Sequence, residues 1–164
     1  MCLSCLGTFS KCSQCSRLKN CCNSFDIIDD PLATKQELVQ IERTFQLLIY
    51  NKQLNDSFFS LNDGSGTCCF YNNNKCTIYD ARPLDCRLFP FDIKRIRKEF
   101  CLVVYTNPCD NFQLSEQFIE ENISQIEAIV SELMPYISDY IAKDVCKKSS
   151  SKPYQIIKKI GVLR

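Results

Sequence analysis

Apolar residues recur at Leu38, Ile41, Phe45 and Leu48, the spacing that gathers side chains on one stripe of an α-helix. Asp30 offers a cap and Pro31 suits the first helical position, so the pattern predicts a helix near residues 32–52. A longer stripe runs through Ile119, Ile123, Ile126, Val130, Leu133 and Ile137. Ser115 can cap it, Glu116 favours its N-terminus, and Pro135 should kink or divide it. Between the two stripes the period shortens. Asn62–Gly66 reads as a turn. Thr67–Tyr71 and Cys76–Tyr79 are short β-prone runs around an Asn-rich turn, a predicted hairpin. Leu88–Ile93 and Phe100–Thr106 predict a second pair around the basic turn Lys94–Glu99. After Ser149–Ser151 the pattern changes again. Lys152, Lys158, Lys159 and Arg164 interleave with Ile156, Ile157, Ile160, Val162 and Leu163, and no acid follows Asp144. A short amphipathic helix docked on the core is expected here, in preference to the alternative of a partner-binding tail. The chain is accordingly divided into 1–148 and a basic C-terminal tail, 149–164.

Composition adds two outliers. Cysteine occurs 13 times in 164 residues, while histidine is absent. Lacking histidine, the chain has no Ser-His-Asp or Cys-His catalysis and no histidine-ligated zinc, copper or haem. The net charge of +1 points to no nucleic acid. The first residues, with Lys11 among Ser and Cys, lack the apolar run of a secretory signal, and no stretch is long and apolar enough to span a membrane. A cytoplasmic chain is therefore expected. Its thiols would stay reduced, and clustered cysteines then read as metal ligands in preference to disulfides.

The cysteines form two blocks. Cys2, Cys5, Cys12, Cys15, Cys21 and Cys22 crowd the start, and Cys68, Cys69, Cys76, Cys86, Cys101 and Cys109 fill the centre; Cys146 stands apart. Thiolate is the ligand form, and the tight turn of Cys12-Ser-Gln-Cys15 lets two thiolates meet one metal. Pro83 stiffens the loop before Cys86, and Arg82 and Arg87 flank it. Guanidinium groups there would offset the negative charge of several thiolates, so both are candidate cofactor-contacting residues. Phe70, Tyr71, Tyr79, Phe89 and Phe91 would supply a dry shell. The expected fold class is α+β: a small helical domain with short β-hairpins organised around a multi-cysteine metal site.

The run from Cys68 to Pro90, C-x-F-Y, then C-x-I-Y-x2-R-P-x2-C-R-x-F-P, follows an N-terminal C-x2-C and a Cys-Cys pair. In this it resembles the YkgJ-type cysteine-cluster family, the CxxCxxCC type, over roughly residues 12–110. The resemblance implies a zinc- or iron-chelating domain with eight characteristic cysteines: Cys12, Cys15, Cys21, Cys22, Cys68, Cys76, Cys86 and Cys109. Ser16 to Asn20 make the gap before the Cys-Cys pair longer than the family's, so Cys2 and Cys5 stay open as substitutes. Cys69, Cys101 and Cys146 are left as buried small hydrophobes. Similar motifs occur in proteins that methylate flagellin lysines, but the chain shows no Gly-rich cofactor loop; Gly64 and Gly66 read as turn residues.

Softness selects zinc, copper(I) or iron–sulfur for an all-thiolate site. Zinc would need four thiolates, or three with a carboxylate such as Asp80 or Asp85. Neither the ferredoxin run nor the usual paired C-x2-C zinc spacing is present. Dispersal of the cysteines, the aromatic neighbours and the two arginines favour iron–sulfur over zinc. The leading expectation is a metal-binding protein acting in redox or protein modification. The alternatives are a zinc-stabilised interaction module, whose basic turn and tail meet an acidic protein partner, and a small cluster-dependent modifying enzyme.

Overall fold

The structure, a computed structural model, describes residues 31–45, 52–61, 67–73, 75–106, 114–146 and 153–162. Strand β1 (Leu32–Thr34) leads into helix α1 (Lys35–Phe45). The helix starts later than the Asp30–Pro31 signal predicts, because Thr34 and Glu37 form a reciprocal capping box. The Thr34 N–H donates to Glu37 Oε2 at 2.8 Å, and the Glu37 N–H donates to Thr34 Oγ1 at 3.2 Å. Residues 32–34 are thereby left extended. They pair with β3 (Phe58–Ser60), whose other edge takes β2 (Lys52–Gln53); both pairings are antiparallel. Asn55 shapes the β2–β3 turn, accepting from the Ser57 and Phe58 N–H groups at 3.1 and 2.8 Å.

The predicted first hairpin is present, shortened to β4 (Tyr71–Asn72) and β5 (Lys75–Cys76). Asn73 takes a left-handed conformation in its turn, with φ at 48°, which asparagine tolerates better than most residues. A 3₁₀ turn at Tyr79–Ala81 leads to a short helix, α2 (Leu84–Leu88), where the sequence reading had only a loop. Leu88 therefore ends a helix instead of opening a strand. The second hairpin has strands of the expected lengths, shifted toward a tighter turn: β6 (Phe91–Ile96) pairs with β7 (Glu99–Tyr105). The basic stretch Lys94–Glu99 is mostly strand, and its turn is only Arg97–Lys98, with Arg97 at φ 59°.

Helix α3 (Glu116–Leu133) starts where predicted, with Ser115 Oγ accepting the Phe118 N–H at 3.1 Å. Pro135 divides the stripe as expected. A 3₁₀ turn, Met134–Tyr136, separates α3 from α4 (Ile137–Cys146). The tail does dock, but as a strand and not a helix. β8 (Tyr154–Val162) lies antiparallel to β7, making the sheet order β6-β7-β8.

Two apolar clusters result. In the larger, Phe118, Ile126, Ile129, Val130, Leu133, Tyr140 and Ile141 of α3 and α4 cover Phe91, Ile93, Phe100, Leu102 and Val104 of the sheet. Phe58 belongs to this cluster and meets the Tyr140 ring edge-on at 5.5 Å. The smaller gathers Ala33, Leu38, Ile41, Leu61, Cys68, Phe70 and Ile78, with Cys69 and Cys76 partly buried against it. Among the described residues no helix is long and apolar enough to cross a membrane.

Candidate metal centre

Three of the eight predicted ligands are described: Cys68, Cys76 and Cys86. Cys12, Cys15, Cys21, Cys22 and Cys109 lie outside the described residues, as do the substitutes Cys2 and Cys5. Cys68 is buried in the smaller cluster, just ahead of the first hairpin. Its carbonyl accepts the Tyr71 N–H at 2.9 Å, and the next amide, Cys69 N–H, donates to the Leu61 carbonyl at 2.8 Å. Cys76 sits on β5 opposite Tyr71. Cys86 is carried by α2, beyond the Tyr79–Ala81 turn.

These three segments converge. Burial is the largest cause that pushes the Cys86 thiol well above its ordinary range. Next come the neighbouring charge of Asp85 and the two thiols Cys68 and Cys76, while Arg82 opposes them. Thiols ten and eighteen residues earlier in the chain are therefore near enough to act on the Cys86 thiol. Among the described residues no three Cys, Asp or Glu side chains form a group that would hold a metal ion alone. No disulfide joins Cys68, Cys69, Cys76, Cys86 and Cys101 to one another.

The two arginines separate. Arg82 Nε donates to the Tyr79 carbonyl at 2.9 Å, and its guanidinium lies over the Tyr79 ring, 3.9 Å from the centroid. That stacking fixes a positive charge beside Cys86. Arg87 instead points to Glu132 of α3, at 3.9 Å between half-exposed and exposed partners, an arrangement that contributes little. Cys101 is buried on β7, where burial raises its thiol, Glu99 adds to the rise and Lys159 opposes it. Cys146 ends α4.

A polar network behind Cys86 escaped the sequence reading. Asp85 Oδ2 accepts the Leu32 N–H at 2.9 Å, and Oδ1 accepts the Tyr140 hydroxyl at 2.5 Å. Tyr140 also lies 3.1 Å from Asp92 Oδ1, and Asp92 Oδ2 accepts the Tyr105 hydroxyl at 2.7 Å. Lys94 Nζ stands 3.6 Å from that same oxygen. Asp92, Lys94, Tyr105 and Tyr140 are all buried. Burial first, then Asp85 and Asp92, holds the Tyr140 phenol well above its usual range, so it stays a donor. The sequence contained one signal for this network: Asp92 and Lys94 alternate with apolar Phe91 and Ile93 on a strand, which puts both on the second face of the sheet.

A family model described as "CxxCxxCC: Putative zinc- or iron-chelating domain" matches residues 11–110. The chain belongs to the CxxCxxCC family. The match runs from the residue before Cys12 to the residue after Cys109, so it contains all eight predicted ligands of the CxxCxxCC domain. It ends before α3, so α3, α4 and β8 lie outside the family-defining region. No curated protein and no solved structure matches the chain.

Proposed function

We propose that this CxxCxxCC domain binds iron, as an iron–sulfur centre, through Cys68, Cys76 and Cys86 of the central block, together with Cys12, Cys15, Cys21, Cys22 and Cys109. One observation carries the reading: the thiols of Cys68, ahead of the hairpin, and of Cys76, on a strand, both bear on the Cys86 thiol of a helix. With no histidine in the chain, soft thiolate donors are what it has to offer, and these suit iron–sulfur or zinc. The arginine stacked on Tyr79 supports a site that carries net negative charge when its thiols ionise. The bound centre would supply electron storage or a structural tie, and the residues' own part is to hold their sulfur atoms together, exclude water and balance charge. A role in redox chemistry or in modifying a partner protein follows from that reading.

Oxygen-free purification followed by elemental analysis and absorbance tests it. The chain is expected to carry iron and acid-labile sulfide, with a broad band near ~400 nm. About two zincs and no colour would select the zinc module instead. Cys86→Ser should lose metal and, with it, the local packing that the metal ties together, because metal binding in such sites is folding free energy. Cys146→Ser should keep both. Full metal content in the Cys86→Ser chain would remove Cys86 from the ligand set.

A further inference from the structure

Cys86 sits on a helix of one turn, Leu84–Leu88, too short to fix its own position. Two carboxylates cross between this turn and the β1–α1 junction. Glu37 Oε1 accepts the Leu84 N–H at 2.7 Å, while its Oε2 accepts from the Thr34 N–H at 2.8 Å and the Thr34 hydroxyl at 3.0 Å. One side chain thus caps two helices. In the opposite direction, Asp85 Oδ2 accepts the Leu32 N–H at 2.9 Å, and the Tyr140 hydroxyl holds its other oxygen. The same junction anchors the segment that bears Cys68. The Leu61 N–H donates to the Pro31 carbonyl at 3.0 Å, and the Cys69 N–H donates to the Leu61 carbonyl at 2.8 Å. Cys68 itself packs with Ala33, Leu38 and Ile41. Two thiol-bearing segments, far apart in sequence, therefore take their places from one reference.

We propose that Glu37 and Asp85 are positioning residues that set Cys86 against Cys68 and Cys76. The proposal rests on the metal-binding reading. Among the described residues Glu37 bonds to no sulfur and acts through the Leu84 amide; Asp85 acts through Leu32 and Tyr140. Helix capping alone would stabilise α1 without regard to metal, so the two roles separate by experiment.

Cobalt(II) serves as the probe, titrated without oxygen into the reduced full-length chain against a competing chelator. Its thiolate charge-transfer absorbance reports sulfur bound per ion. Thr34→Ala removes the hydroxyl from the capping box but leaves the Glu37–Leu84 bond. It should lower thermal stability and keep wild-type cobalt affinity. Glu37→Gln has only one acceptor oxygen and cannot serve both Thr34 and Leu84. At a temperature where it remains folded, it should bind cobalt at least tenfold more weakly, with less charge-transfer intensity per ion. Unchanged affinity and intensity in Glu37→Gln, or equal weakening in both variants, overturns the positioning role. Should Glu37→Gln not fold, Tyr140→Phe removes the donor to Asp85 at nearly constant volume. Weaker binding there supports the proposal, and wild-type binding overturns it. A wild-type chain that binds no cobalt through sulfur overturns the metal-binding reading itself and the positioning role with it, a result seen before any variant is made.

Discussion

The Glu37 carboxyl resists ionising. Burial raises its pKa above the ordinary 4.5, and hydrogen bonds from Thr34 and Leu84 only partly offset that rise. The sign of its effect on stability follows. Just above pH 4.5 the unfolded chain has given up this proton and the folded chain still holds it, so the folded state binds more protons. Stability from this group is therefore greatest below that window and falls as pH rises through it. Urea midpoints of the metal-free chain, compared with Glu37→Gln from pH 4 upward, should show wild type losing ground to the variant. A gap that stays constant with pH would remove Glu37 as the cause. Half of this residue's role was legible in the sequence. Thr34 and Glu37 stand three apart, the spacing of a capping box, although Asp30 before Pro31 offers a competing cap. The other half was not legible, because the Leu84 amide lies 47 residues away and no local pattern announces it. The same holds for Asp85 and Leu32, which lie 53 apart.

At the scale of elements, β8 shows why a strand was mistaken for a helix. Ile156, Ile157 and Ile160 have helical spacing in the sequence. In the sheet, the register with β7 shifts twice, leaving Ile157 and Ile160 as the unpaired extra residues. Each bulge turns its isoleucine toward the larger cluster, where both are partly buried. A spacing of three along a bulged strand thus imitates one face of a helix. The β-branched content of the segment favoured the strand, as did the need of β7 for a partner on its second edge. Removing residues 153–164 should consequently destabilise the chain by more than about 2 kcal/mol, from the lost burial of two isoleucines alone, and expose β7 to self-association. The ion pairs of the strand matter much less. Lys159 reaches Glu99 at 2.5 Å and Lys158 pairs with Glu127, all of them well exposed. Lys159→Gln should change stability by less than about 1 kcal/mol. Urea midpoints and light scattering decide both; a truncated chain with the wild-type midpoint would mean that β8 adds nothing to the fold.

Across the whole molecule, Cys68, Cys69 and Cys76 belong to a cluster separate from the larger core, while the helix of Cys86 gives Leu84 and Leu88 to that core. Cys68 is buried with Ala33, Leu38, Ile41, Leu61, Phe70 and Ile78, and Cys76 packs against them. The helices α3 and α4 and the sheet β6-β7-β8 form a larger core that contains none of the described ligands. The family match divides along a similar line: it takes in the smaller cluster and the β6–β7 hairpin and stops before α3. The apolar stripe of α3 made much of the larger core legible, since long helices with a clear period read well from sequence. Of the smaller cluster, Leu38 and Ile41 were legible on the stripe of α1; its other members were not, because they come from short strands and turns, and its cysteines resemble ligands and small hydrophobes equally. The energetic consequence is unequal dependence on metal. The large cluster buries enough apolar surface to persist by itself, whereas the small one has few apolar neighbours to replace the tie that bound thiolates would provide. Local opening should then begin there. In native-state hydrogen exchange, stripping the metal should abolish protection at the amides of Cys69, Tyr71 and Thr77, whose acceptors lie within the small cluster or at its edge. Protection along α3 and between β6 and β7 should fall far less. Uniform loss across both clusters would mean that the centre supports the whole fold through the Asp85–Tyr140–Asp92 links. No loss at Cys69, Tyr71 and Thr77 would mean that the small cluster holds together without metal.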